Sequence, residues 1–184
     1  MANGTLKVSN IETSSGSGTI TLGQSGETIV VPNGSLSGQN YPAFHAYLGA
    51  NQTAADATAT KLNINTETYD TDSCFDTSTY RFTPTKAGKY FVYGNAEWYS
   101  TGNTFNFGAT RIYKNGSILF SLGNNGNASG GAQVGKEPSG VVIMNGSTDY
   151  LELYVYQDTS DSSSITMNGG DGLNNYFGAY RIGA

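Results

Sequence analysis

The residues of this chain that could do chemistry are few, and none stands in a pattern that a reaction needs. His45 is the only histidine. It alternates with Phe44 and Tyr47 in an extended run, and no Gly-x-Ser-x-Gly elbow or other nucleophile context accompanies it. The spacing therefore predicts a packed or interface histidine rather than a general base. Cys74, the only cysteine, lies beside Phe75 with no Lys, Arg or His next to it, the setting of a buried, inert thiol. Asp70, Asp72 and Asp76 cluster carboxylates around a turn, and calcium takes such oxygens, but the spacing lacks the glycine and the closing glutamate of an EF-hand loop. A solvated turn is the default reading. Asn168-Gly-Gly-Asp-Gly172 has the wording of a calcium-binding glycine repeat yet occurs once, and such sites are built by repetition. Glycoside cleavage needs two carboxylates at fixed separation, and the Asp+Glu total of 14 singles out no such pair. No catalytic residue is assigned, no cofactor is expected beyond the open question of calcium, and the chain reads as a non-enzyme.

The elements that would position these residues are strands. Gly 25, Tyr 13 and only 12% charged residues suit a turn-rich all-β chain, with little of the Ala/Leu/Glu/Lys enrichment of helices. A length of 184 residues suits one main domain with a small appendage. The mean hydropathy of −0.35 is polar, but 37% hydrophobic residues in alternation still build a thin sandwich core. The net charge of −5 comes without any basic run, so a nucleic-acid partner is not expected. No apolar run reaches membrane-spanning length, so membrane insertion is not expected either. Met1 to Lys7 shows no apolar h-region, and a single cysteine makes no intramolecular disulfide; folding in a reducing cytoplasm is the expectation.

Tyr80-Arg-Phe-Thr-Pro-Thr-Lys-Ala-Gly-Lys-Tyr-Phe-Val-Tyr93 reads as strand, corner, strand: Pro84 stops the pairing, Gly88 reverses the chain, and Lys89 to Tyr99 is a long aromatic and β-branched strand. Lys114-Asn-Gly116 is a hairpin signal between runs 103–113 and 117–122. Asn145-Gly146 is read the same way, joining paired strands at 141–144 and 150–156. Segments 51–58, 101–106, 124–135 and 158–168 read as polar loops. Along the last strand, Leu151, Leu153 and Val155 face one way and Tyr150, Glu152, Tyr154 and Tyr156 the other; along Lys89 to Tyr99, Tyr90, Val92, Ala96 and Trp98 oppose Phe91, Tyr93 and Tyr99. Faces this aromatic have interface composition. Residues 1–40 hold Thr5-Leu-Lys-Val8, Gly18-Thr-Ile-Thr-Leu22 and Thr28-Ile-Val-Val31 without any aromatic ring and so without a core of their own, the composition of a flexible tail or of a β-rich arm that pairs or docks.

The spacing Phe82-x-Pro84, Gly88-x-Tyr90 resembles the corner of complement-one-q heads, jelly rolls of the tumour necrosis factor type that assemble as trimers. Val141 to Tyr156 resembles paired strands of their second half, Asn175-Tyr-Phe-Gly-Ala-Tyr-Arg-Ile182 their closing strand, and Pro42-Ala-Phe-His-Ala-Tyr-Leu48 their opening strand. Cys74 to Pro84 is worded like the copies found in bacteriophage structural proteins, and Gly18 to Leu22 like the opening of phage fibre proteins. The resemblance implies an all-β, jelly-roll β-sandwich head over residues 41–184, with residues 1–40 an arm for virion attachment or trimer pairing. It implies a homotrimer whose interface candidates are Tyr90, Tyr93, Trp98, Tyr150, Tyr154, Tyr156 and Tyr180. Some members bind calcium near the trimer axis, which keeps Asp70, Asp72 and Asp76 as metal candidates. The expected function is a virion structural protein assembled in the host cytoplasm: a tail fibre or spike head contacting a host surface glycan, with a capsid decoration protein or a secreted lectin-like module as alternatives. Receptor-loop candidates are Asn103, Asn124, Asn125, Asn127 and Asp161; other virion proteins would hold the arm.

Overall fold

The structure, a computed structural model, describes residue 11 and residues 42–100, 105–126 and 132–183. The chain separates into two units, Met1–Gln39 and Asn40–Ala184. The three strands expected before residue 40, together with Asn103 and Asn127, lie outside the described residues. Among the described residues there is no helix.

The strands are β1 (Ala43–Leu48), β2 (Gln52–Ala54), β3 (Thr60–Lys61), β4 (Ile64–Asp70), β5 (Phe75–Asp76), β6 (Arg81–Phe82), β7 (Gly88–Ser100), β8 (Phe105–Lys114), β9 (Ser117–Asn125), β10 (Ala132–Lys136), β11 (Ser139–Met144), β12 (Leu151–Thr159), β13 (Ile165–Met167) and β14 (Tyr176–Gly183). They form two antiparallel sheets. The eight-stranded sheet has the order β2-β13-β7-β14-β1-β4, with β10 and β11 on the other edge of β7; the six-stranded sheet has the order β5-β6-β12-β8-β9, with β3 beside β12. The first strand thus pairs with the last, β14 lying between β1 and β7.

Strict alternation puts one row of each strand into the core. Phe44, Val92 and Phe177 from one sheet meet Phe82, Ile112, Leu151, Leu153 and Val155 from the other, all fully buried. Phe44 is the hub, stacked on Phe75 at 4.5 Å and Phe82 at 4.6 Å and met edge-on by Phe177 at 5.1 Å. Such offset and edge-to-face pairs add to the area the rings bury.

The Pro84–Gly88 corner forms as expected. Gly88 has φ +145° and starts the 13-residue β7. The hairpin at Asn115-Gly116 also forms, both residues at positive φ (52° and 79°), as a tight turn between right-twisted strands requires. Asn145-Gly146 does not join a pair. β11 belongs with β7 and β12 with β8, so this turn crosses between sheets. There Asn145 Oδ1 accepts the N–H groups of Ser147, Thr148 and Asp149, closing the loop from a side chain rather than a ladder.

Several expected loops contain strand. β2 lies inside 51–58, β13 inside 158–168, and β9 and β10 run into 124–135. Ladder partners decide these cases: Thr53 pairs with Thr166, and Gly108 with Asn124. Tertiary pairing overrides weak local β propensity.

Candidate self-association face

The rows that point away from the core differ sharply between the sheets. On the eight-stranded sheet, register places His45 beside Gly178 and Tyr69, and Gly178 beside Tyr93. The neighbouring rows are Tyr47–Tyr176–Asn95 and Ala43–Tyr180–Phe91. Facing cross-strand pairs share one side of a sheet, so these rings form one outward surface. β11 extends it, with Val141 opposite Phe91 and Ile143 opposite Lys89.

His45 sits at its centre, ringed by Tyr176 at 5.5 Å, Tyr93 at 5.9 Å and Tyr69 at 6.2 Å. Its Nδ1 and the Tyr93 hydroxyl are 3.1 Å apart and share a hydrogen bond. Burial holds the imidazole below its ordinary pKa, because the charged form loses water it cannot replace. Burial likewise raises the Tyr93 hydroxyl, with Tyr69 adding to the shift. The Tyr176 hydroxyl is pushed up to about 12, by burial first and then by Glu137, whose Oε2 accepts its hydrogen bond at 3.0 Å.

Gly178 is what lets this arrangement form. A Cβ there would lie 2.4 Å from both Cζ and the hydroxyl oxygen of Tyr93; the tyrosine crosses strand β14 over the glycine to reach His45. An aromatic ring laid over a strand glycine covers backbone that would otherwise be bare. The surface nonetheless stays open in a single chain: Tyr69, Tyr180 and Ile182 are each more than 40% exposed, and Val141 and Ile143 are 53% and 68% exposed.

The seven tyrosine and tryptophan candidates divide among three places. Tyr93 and Tyr180 stand on this face. Tyr90 and Trp98 do not belong to any interface: both are enclosed by their own chain, Tyr90 against Phe82 at 5.7 Å and Trp98 against Phe105 at 6.2 Å. They alternate with Tyr93 on β7, so they share the core row of Val92. Tyr150, Tyr154 and Tyr156 lie on the six-stranded sheet, on the opposite side of the sandwich. Arg81 covers Tyr150 at 4.2 Å, Arg111 covers Tyr156 at 4.4 Å, and Tyr154 lies 4.1 Å from Tyr113. Glu152, in the same row, is buried under Lys61 Nζ at 3.0 Å and Arg81 Nε at 2.8 Å. From sequence His45 has either a packed or an interface role, and Tyr69, Tyr176, Val141 and Ile143 are not among the interface candidates. The signal for the tyrosines was the alternation of Tyr176 and Tyr180 about buried Phe177 and Ala179 in β14.

The acidic candidates are used locally. Asp70 Oδ2 accepts from the Phe75 N–H, Asp72 Oδ2 from the Thr85 hydroxyl, and Asp76 from the hydroxyl and N–H of Ser78 and from Thr79. Those donors, Ser78 first, hold Asp76 down to about 2. Among the described residues no group of three or more His, Cys, Asp or Glu is placed to hold a metal ion. Cys74 is buried, and burial and Asp70 push its thiol pKa up, as expected of an inert cysteine. Asn124 and Asn125 stand on the exposed end of β9, and Asp161 in a turn accepts from the Ser163 N–H.

No protein-family model and no curated protein matches the sequence. Solved structures do. Two crystal structures of murine APRIL, at pH 8.5 and pH 5.0, superpose with a TM-score of 0.52 each at 10% identity, covering 78% of this chain and 100% of that chain. The fold is the tumour necrosis factor-like jelly roll. At 10% identity the likeness speaks for fold alone.

Proposed function

We propose that the protein is a non-enzymatic, homotrimeric structural protein of a bacteriophage virion, a fibre or spike head that contacts the host. The observation that carries the trimer is the outward face of the eight-stranded sheet. It exposes contiguous aromatic and aliphatic side chains around His45, of the kind monomers rarely leave in water. A closed three-fold ring needs two different patches on each subunit. The second is the sandwich's open edge, where Phe120, Leu122, Glu137, Pro138 and Ser139 line a pocket of about 290 Å³ and Leu122 is 45% exposed. The virion assignment rests on the wording of Cys74 to Pro84 and of the N-terminal segment.

Light scattering on the full chain is expected to return about three times 19.4 kDa. Val141→Glu and Ile143→Glu alter side chains already in solvent in one chain, so a monomer would tolerate both. In the trimer each places a charge in a buried contact, and dissociation is expected. Tyr154→Ser, on the other sheet, is expected to leave the mass unchanged. A monomeric wild type refutes the assembly. Antibody labelling of particles separates the virion roles: label at the tail supports the fibre, label over the shell supports the decoration protein, and unlabelled particles refute both.

A further inference from the structure

The outward face of the six-stranded sheet is a second ring-rich surface, on the side of the sandwich away from His45. Tyr154, Arg111 and Ser121 are neighbours in register across β12, β8 and β9, and Phe107 stands beside Asn125. Phe107 lies 6.1 Å from Tyr156, and the Arg111 guanidinium lies 4.4 Å above the Tyr156 ring. Three cations occupy this face. Lys61 and Arg81 are both committed to Glu152. Arg111 is not: among the described residues no carboxylate pairs with it, and its buried Nε has no acceptor. Glu152, the nearer outward acid along β12, is taken by Lys61 and Arg81, and Asp158 stands farther along, beside Phe107, and takes a hydrogen bond from Asn106. A guanidinium held over an aromatic ring with its donors unspent is a positioned receptor for a planar anion.

We propose that this face binds an acidic sugar unit of a glycan. Its carboxylate meets Arg111, its apolar ring face lies on Tyr154 and Tyr156, and its hydroxyls reach Asn125. Half-buried tyrosines give a flat apolar platform at low entropic cost. Uncharged amide and hydroxyl groups exchange water for sugar hydroxyls with little desolvation penalty. β9 is the edge of this sheet, but Arg111 on β8 and Tyr154 and Tyr156 on β12 stand on its face one and two strands in, where a peptide backbone has nothing to pair with, which favours a glycan over an acidic peptide. The site rests on the reading of the protein as a host-contacting head and supplies that reading with a ligand class.

The test uses the full chain on an array of neutral and of uronate- or sialate-bearing bacterial glycans, followed by calorimetric titration of the best ligand. Acidic glycans are expected to bind and their carboxyl-reduced forms to lose binding. Arg111→Ala is expected to weaken binding about tenfold or more, the loss of one charge-assisted hydrogen-bonded contact, with Arg111→Lys recovering only part of it. Carboxyl reduction changes only the ligand, so it remains decisive if a variant unfolds. No acidic glycan bound at millimolar concentration, equal binding of the reduced form, or a folded Arg111→Ala protein that binds like wild type overturns the site. Adsorption of particles separates the two claims. Normal adsorption by Arg111→Ala particles whose protein has lost glycan refutes the host-contact reading and keeps the site. Lost adsorption on shortening the loop after Asn125, with glycan binding intact in Arg111→Ala, does the reverse.

Discussion

Replacing Gly178 by alanine tests the central packing of the self-association face. The new Cβ would stand 2.4 Å from Tyr93 Cζ and hydroxyl and 2.9 Å from Cε2, so the ring must lift by about 1 Å to reach ordinary contact distance. That movement separates the hydroxyl from His45 Nδ1, now 3.1 Å away, at about 0.5–1.5 kcal/mol. It also loosens the ring contacts with His45, Tyr176 and Phe91, worth about 0.5–1.5 kcal/mol each when fully lost. Alanine regains about 0.5–1 kcal/mol over glycine in a strand. The net is a loss of about 1–3 kcal/mol, in line with other overpacked sites, or ~2–12 °C in Tm for a domain of this size. The measurement is thermal unfolding at fixed protein concentration, because assembly makes Tm concentration-dependent. Tyr93→Ala removes the obstructing ring, so Gly178→Ala added to it should cost almost nothing, leaving a double-mutant coupling of at least about 1 kcal/mol. Additive losses would show that the ring does not lie over Gly178, and the geometry of the face would be wrong.

Glu152→Gln should lower stability by about 1–3 kcal/mol in urea denaturation, since two cations lose their buried anion; Arg81→Ala should cost less than about 1 kcal/mol because its side chain is 41% exposed and solvent-screened. Gly146→Ala puts a Cβ 2.2 Å from the Ala87 backbone nitrogen at φ +73°, for about 2–4 kcal/mol. Gly116→Ala, at φ +79° with its nearest neighbour 3.7 Å away, should cost only the strain, about 1–2 kcal/mol by the same measurement. His45 has a folded pKa below 6.5, so the unfolded chain takes its proton first. Its stabilising contribution is complete above the unfolded value and falls as the pH drops below about 6.5 toward the folded one. Tm followed from about pH 7.5 to about pH 5 should therefore decline more steeply in wild type than in His45→Gln; parallel curves would refute this.

What the sequence disclosed depended on whether the signal was local. The Pro84–Gly88 corner and the Asn115-Gly116 turn are written in φ preferences, and both are where those preferences put them. The core row of β12 was legible because Leu151, Leu153 and Val155 are all aliphatic. Asn145-Gly146 misled because the same dipeptide serves a hairpin and a crossover, and only distant partners tell them apart. The run Lys61 to Asn65 alternates throughout, with Leu62 and Ile64 both buried, yet β3 pairs with β12 and β4 with β1. Alternation records burial, not which sheet provides it. The candidate face was half legible: Tyr93 and Tyr180 were found, but Tyr90 and Trp98 were grouped with them by residue type although their parity on β7 places them inside.

The place of β14 between β1 and β7 also governs how the molecule can be made. Until the ribosome has released Tyr176 to Gly183, β1 and β4 have no hydrogen-bonded link to the rest of their sheet. The opening strand must wait for more than a hundred residues of later chain. Such long-range closure is slow and exposes sheet edges meanwhile. A stop codon only a few residues before Tyr176 would therefore leave no trimmed but working head; it would leave two unjoined halves of a sheet, open to aggregation and proteolysis.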